Sequence, residues 1–84
     1  MYREELSLWR LRIVADSDPG AVARVLERFQ NLNVLPRRII AESTSNQTFH
    51  IQVDVCGLPE AQLRLVAAKI RQSPSIVNAY WHRL

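Results

Sequence analysis

In residues 6 to 15, L-S-L-W-R-L-R-I-V-A, apolar and polar positions alternate: Trp9, Leu11, Ile13 and Ala15 fall on one side, Leu8, Arg10, Arg12 and Val14 on the other. A period of two over ten residues predicts a strand with one well-buried face. From Gly20 the spacing changes. Val22, Val25, Leu26 and Phe29 stand at i, i+3, i+4 and i+7, with Arg24, Glu27, Arg28 and Gln30 opposite them, which predicts a helix over about residues 19 to 31. The segment R-R-I-I-A-E-S-T returns to strand character, and Ser45, Asn46 and Gln47 turn the chain into T-F-H-I-Q-V-D-V. There Phe49, Ile51, Val53 and Val55 alternate with His50, Gln52 and Asp54, a half-buried strand. After the break at Gly57, Leu58 and Pro59, a second helix carries Leu63, Val66, Ala67 and Ile70 on one face, and Ser73-Pro74 ends it. Pro59 suits the first turn of that helix. S-I-V-N-A-Y-W-H-R-L is the last strand.

The predicted order is strand, helix, strand, strand, helix, strand, in two similar halves. That is the α+β, ferredoxin-like βαββαβ sandwich, with four antiparallel strands and both helices on one face. Two right-handed crossovers put the first and third strands in the centre, in the order 4-1-3-2. These two strands are also the most apolar. At 84 residues the chain supports one domain, residues 1–84. So small a core is marginally stable alone, so pairing with a second copy or a larger partner is expected.

Charge and cysteine content change this picture little. The net charge is +3, from eleven basic and eight acidic residues, and the basic residues are scattered. A nucleic-acid surface concentrates them on one face. The single Cys56 excludes an intrachain disulfide framework and a cysteine-rich zinc site. No stretch approaches the length of an apolar membrane span, and M-Y-R-E-E-L-S-L-W-R lacks the pattern of a secretory signal. A soluble cytoplasmic protein is expected, with no membrane partner.

The junction D-S-D-P-G, residues 16 to 20, is the main candidate for chemistry. As local structure it starts a helix: Asp18 accepts a hydrogen bond from a first-turn amide, Pro19 is preorganised at the first helical position and Gly20 leaves the turn uncrowded. The same geometry turns free amides and the positive end of the helix dipole outward, where a carboxylate can bind. Asp16, Ser17 or Asp18 could accept hydrogen bonds from an ammonium. One loop could therefore hold both ends of an amino acid.

D-S-D-P-G-A-V-A-R-V-L-E-R-F resembles the D-x-P-G-x-L-x-x-V/L-x-x-x-F opening of ACT domains, regulatory modules that commonly bind amino acids. The resemblance extends through the element order over about residues 8 to 82. Among ACT proteins the chain looks most like the short, single-domain small subunit of acetolactate synthase, which acts on a large catalytic subunit in branched-chain amino acid biosynthesis. The resemblance implies a non-catalytic regulatory protein without a cofactor. It also implies a homodimer formed through sheets or helices, a larger catalytic subunit as partner, and an amino-acid effector at the pair's interface. The matching ligand positions are Asp16, Ser17, Asp18, Pro19, Gly20 and Ala21, together with Leu35, which stands where effector-binding members carry Asn in G-x-N-I. Leu35 offers no hydrogen bond there, and Ser17 lies between two acids, so amino-acid sensing is expected to be weakened. Asn33 takes the place of the helix-ending Gly.

The alternative is an RNA-binding module on the same βαββαβ order, which would need aromatics projecting from the central strands. The third strand's single aromatic, Phe49, belongs instead to the apolar face. An acylphosphatase-like enzyme would need a phosphate-cradling loop with an arginine after the first strand, where this chain has two aspartates. His50 and His82 lack the companions of a metal site, and Cys56 has no catalytic partner at a persuasive spacing. Trp9, Tyr80, Trp81 and His82 divide between packing under the helices and an exposed patch for a partner.

Overall fold

The computed structural model describes residues 7–44 and 46–84. Leu6, expected in the first strand, and Ser45, expected in the turn before the third, lie outside the described residues. The elements are β1 (Leu8–Asp16), α1 (Ala21–Asn31), β2 (Arg38–Ser43), β3 (Thr48–Cys56), α2 (Glu60–Arg71) and β4 (Ile76–Arg83). They form a four-stranded antiparallel sheet in the order β2-β3-β1-β4, which is 4-1-3-2 read from the other edge. The ferredoxin-like architecture is as the sequence predicts.

Alternation in the two central strands builds the core. Trp9, Leu11, Ile13 and Ala15 of β1 are buried with Ile51, Val53 and Val55 of β3, Ala79 of β4 and the inner faces of both helices. In α2 the buried residues are the four expected, Leu63, Val66, Ala67 and Ile70. In α1 the stripe is rotated from expectation: Ala21, Val25 and Phe29 are buried, while Val22 and Leu26 are half-buried. The i, i+4, i+8 spacing brings the small Ala21 against the sheet and leaves Leu26 toward the β2 side.

Both helices start later than the proline-based reading places them. Pro19 lies in the turn before α1, and Pro59 is the extended N-cap of α2. The end of α1 follows expectation. Asn33 adopts φ 57°, and the bonds Asn33 N to Gln30 O and Val34 N to Phe29 O close a Schellman motif.

Cover is uneven across the sheet. The helix-facing residues of β2, Ile39, Ala41 and Ser43, are exposed, because the helices lie over the other three strands. The two edges also differ. Between Val14 and Ala15 the pairing with β4 jumps from Asn78 to Ile76, leaving Val77 as a bulge, a device that blunts an edge. Strand β2 pairs with β3 without interruption from Arg38 to Ser43, so its outer edge is regular. Among the described residues no helix is long and apolar enough to cross a membrane.

Candidate functional site

The end of β1 delivers Asp16 to the sheet margin, where its amide donates to Ser75 O at 2.8 Å. The chain then turns through Ser17, Asp18 and Pro19 into α1. Asp18 Oδ1 accepts a hydrogen bond from the Gly20 amide at 2.9 Å, and Oδ2 pairs with the Arg24 guanidinium. The Gly20 amide, first, and Arg24 hold the Asp18 carboxyl below its ordinary pKa. Asp18 thus serves as the loop's own anion. Its partner is the Gly20 amide, one residue ahead of the helix, whereas the sequence reading assigned it to the first turn; no side chain caps the helix itself.

Gly20 has φ −85°, a conformation open to any residue. The nearest atoms a Cβ there would meet belong to the flexible Arg24 guanidinium, with Nη2 at 3.3 Å. We predict that Gly20→Ala keeps the fold and stabilises it by about 0.4–1 kcal/mol by reducing the freedom of the unfolded chain. A fall in thermal midpoint would show that the loop requires glycine.

Ser17, Asp18 and Pro19 line a cleft of about 200 Å³ with Ser43 and Phe49. Leu35 lies elsewhere in the chain. It is 89% exposed and lines a cleft of about 370 Å³ with Leu26, Val34, Pro36 and Ile39. The candidate positions therefore fall into two groups, the loop 16–21 at one end of β2 and Leu35 at the other. The second group belongs to a larger feature that sequence reading missed. Leu35, the 40%-exposed Ile39 and half-buried Leu26 make an apolar strip beside the regular β2 edge. The clue was available in Leu35 and Ile39, branched residues just before β2 and on its helix-facing side, which the two helices leave uncovered.

The open face of the sheet is an ordered grid. Across the strands run Arg38, Asp54, Arg10 and His82; then Ile40, Gln52, Arg12 and Tyr80; then Glu42, His50, Val14 and Asn78. Asp54, on the polar side of its strand's alternation, is buried nonetheless, because Arg10 forms a two-pronged bond with it, Nε to Oδ1 at 2.8 Å and Nη2 to Oδ2 at 3.0 Å. Those bonds hold the Asp54 carboxyl below its ordinary range against the opposing effect of burial. Tyr80 is the one aromatic of this face among the described residues. It stands on an outer strand, not on the central strands where RNA-stacking platforms lie.

The other aromatics among the described residues pack on the helix side. Trp9 is buried, with its indole N–H donating to Leu58 O at 3.0 Å and the Arg83 guanidinium 5.0 Å over its ring. Half-buried Trp81 donates to Glu60 Oε2 at 3.1 Å. They bound a cleft of about 480 Å³, whose polar groups are largely satisfied by one another. Among the described residues no group of His, Cys, Asp and Glu is arranged to hold a metal ion.

No protein-family model matches the chain, and no curated protein matches it. Solved structures do. The C-terminal domain of the MgtC protein from Mycobacterium tuberculosis is 15% identical, with 100% of this chain and 94% of that one covered and a TM-score of 0.79. The ACT domain of GTP pyrophosphokinase from Chlorobium tepidum is 15% identical, with 89% and 96% covered and a TM-score of 0.74. A formyltetrahydrofolate deformylase from Pseudomonas syringae is 16% identical over 98% of this chain and 29% of its own, with a TM-score of 0.77. At such identities the likeness is one of fold: this chain has the fold of an ACT domain.

Proposed function

We propose that this chain is a non-catalytic regulatory module that pairs with a second copy along β2 and acts by contact on a larger biosynthetic enzyme. The observation that carries this reading is the β2 margin, a regular, unblunted edge flanked by Leu35, Ile39 and Leu26. Unpaired edge amides and carbonyls invite another strand, and the adjoining apolar strip gains by leaving water. A second copy offers both features at once, in a twofold arrangement that closes on itself. The blunted β4 edge offers less.

The loop Asp16–Gly20, with Ala21, is the effector-facing element of this reading. An amino-acid carboxylate entering there competes with Asp18 for the Gly20 amide, so contact between subunits is the stronger input and free amino acid the weaker. Regulation then follows from contact that favours one conformation of the catalytic partner, and any effector must bind the two states unequally. The partner we propose is the large subunit of acetolactate synthase. Support comes from the resemblance of D-S-D-P-G-A-V-A-R-V-L-E-R-F to the opening of its small subunits.

The test is affinity capture with the tagged chain in extract of its own host, read by mass spectrometry. A thiamine-diphosphate-dependent synthase recovered at stoichiometric yield is the expected result. Salt-sensitive retention of single-stranded RNA without such an enzyme would overturn the reading in favour of a nucleic-acid module.

A further inference from the structure

The open sheet face carries a second feature, remote from the loop before α1. A shallow cleft of about 190 Å³ is lined by Arg12, Val14, Ile40, Glu42, His50, Gln52 and Tyr80. The strand register fixes how these residues meet. Arg12 on β1 lies between Gln52 and Tyr80, and Glu42 on β2 lies beside His50. The floor is made by Gln52, His50 and Val14, while Arg12 with Tyr80 and Glu42 with Ile40 form opposite rims.

Charge distinguishes this cleft from an ordinary solvated surface. A guanidinium and a carboxylate face each other across it without forming an ion pair. No hydrogen bond or ion pair ties the side chains of Arg12, Glu42, His50, Gln52 or Tyr80 to another described residue. Elsewhere on the same face Arg10 and Asp54 have found each other, so the separation of Arg12 from Glu42 follows from their places in the grid. They stand two strands apart and one same-face step along, about 12 Å between Cα atoms from ordinary strand spacing and rise. Gln52 and His50 of β3 lie between the two charges, and Val14 and Ile40 flank that path with apolar surface.

We propose that this cleft binds a small zwitterion whose charges are separated by a short methylene chain, its carboxylate on Arg12 and its ammonium on Glu42. The guanidinium takes a carboxylate in two-pronged fashion, and the ligand's chain passes over β3 with Val14 and Ile40 on either side. Gln52 and Tyr80 add hydrogen bonds near the carboxylate end, His50 near the other. One chain suffices for the site, so the inference stands apart from the pairing along β2 and from the effector role of loop 16–21.

The probe is 6-aminohexanoate, with hexanoate and hexylamine as one-ended controls, titrated into the isotopically labelled full chain and followed by NMR. The expected result is saturable shifts of the Gln52 side-chain amide, the Arg12 Nε–H and the backbone amides of residues 40–42 and 80. Each control should bind at least about tenfold more weakly, the loss of one charged contact. Arg12→Gln and Glu42→Gln should each weaken the probe by about tenfold as well, with the rest of the spectrum unchanged. The proposal is overturned if the probe does not bind, if hexanoate or hexylamine binds as well as the probe, or if the shifts map to residues 16–21 instead.

Discussion

Replacing Phe29 by alanine should cost about 3–5 kcal/mol, and for a domain whose whole stability is on the order of 5–15 kcal/mol that removes a large share of the folded state. Phe29 is fully buried and is the largest such side chain in the core, the last of the Ala21, Val25, Phe29 stripe by which α1 holds the sheet. The cavity cannot easily collapse, since Leu11, Ile13, Ile51 and Leu63 are themselves fully buried or nearly so and belong to central strands and the second helix. Phe29 also supplies the carbonyl that the Val34 amide uses to end the helix, a backbone bond the substitution leaves in place. The loss is therefore one of packing. Urea unfolding followed by circular dichroism measures it, and a loss below 1 kcal/mol would mean that α1 is not seated on the sheet as described. Leu26→Ala, at a half-buried position on the same helix, should cost clearly less.

The second large effect concerns Asp54. Arg10→Met leaves the buried Asp54 carboxylate without its two-pronged donor, and stranding the buried member of such a pair is worse than removing both. The thermal midpoint should fall further for Arg10→Met than for the double variant Arg10→Met, Asp54→Leu; the reverse order would show the pair to be incidental. Acid titration gives an independent reading. Asp54 is held below its ordinary pKa by Arg10, so its contribution is fully present above the unfolded value of about 3.9 and is lost as pH falls through the lower, folded value. Asp18 contributes in the same sense. Stability of the wild type should thus drop with acid below about pH 4, and Asp54→Asn should flatten that drop. An unchanged acid limb would contradict the assignment.

Much of the fold was legible because the chain's periodicities are clean. Trp9, Leu11, Ile13 and Ala15 alternate with Arg10, Arg12 and Val14, and Ile51, Val53 and Val55 with His50, Gln52 and Asp54, so the register of the central pair leaves little choice of face. Asn33 announced the end of α1 through the one backbone conformation it tolerates better than most residues. What stayed hidden depended on neighbours far away in sequence. Asp54 falls on the polar side of its strand, and only the register sets it directly opposite Arg10, 44 positions earlier. Asp18 was recognisable as an acceptor, but not that it would take the Gly20 amide and Arg24 together. Leu35 stood as a ligand position and Ile39 as a residue of a strand, and their exposure follows only from how two helices distribute over four strands.

That exposure is what the regulatory reading rests on, and oligomeric state tests it most directly. Sedimentation equilibrium of the wild-type chain should give a mass twice the 9.7 kDa of the chain. The double variant Leu35→Asp, Ile39→Lys, folded by circular dichroism, should sediment as a single chain. A wild-type protein that remains a monomer across the accessible concentration range, or a variant that still pairs, would contradict the account.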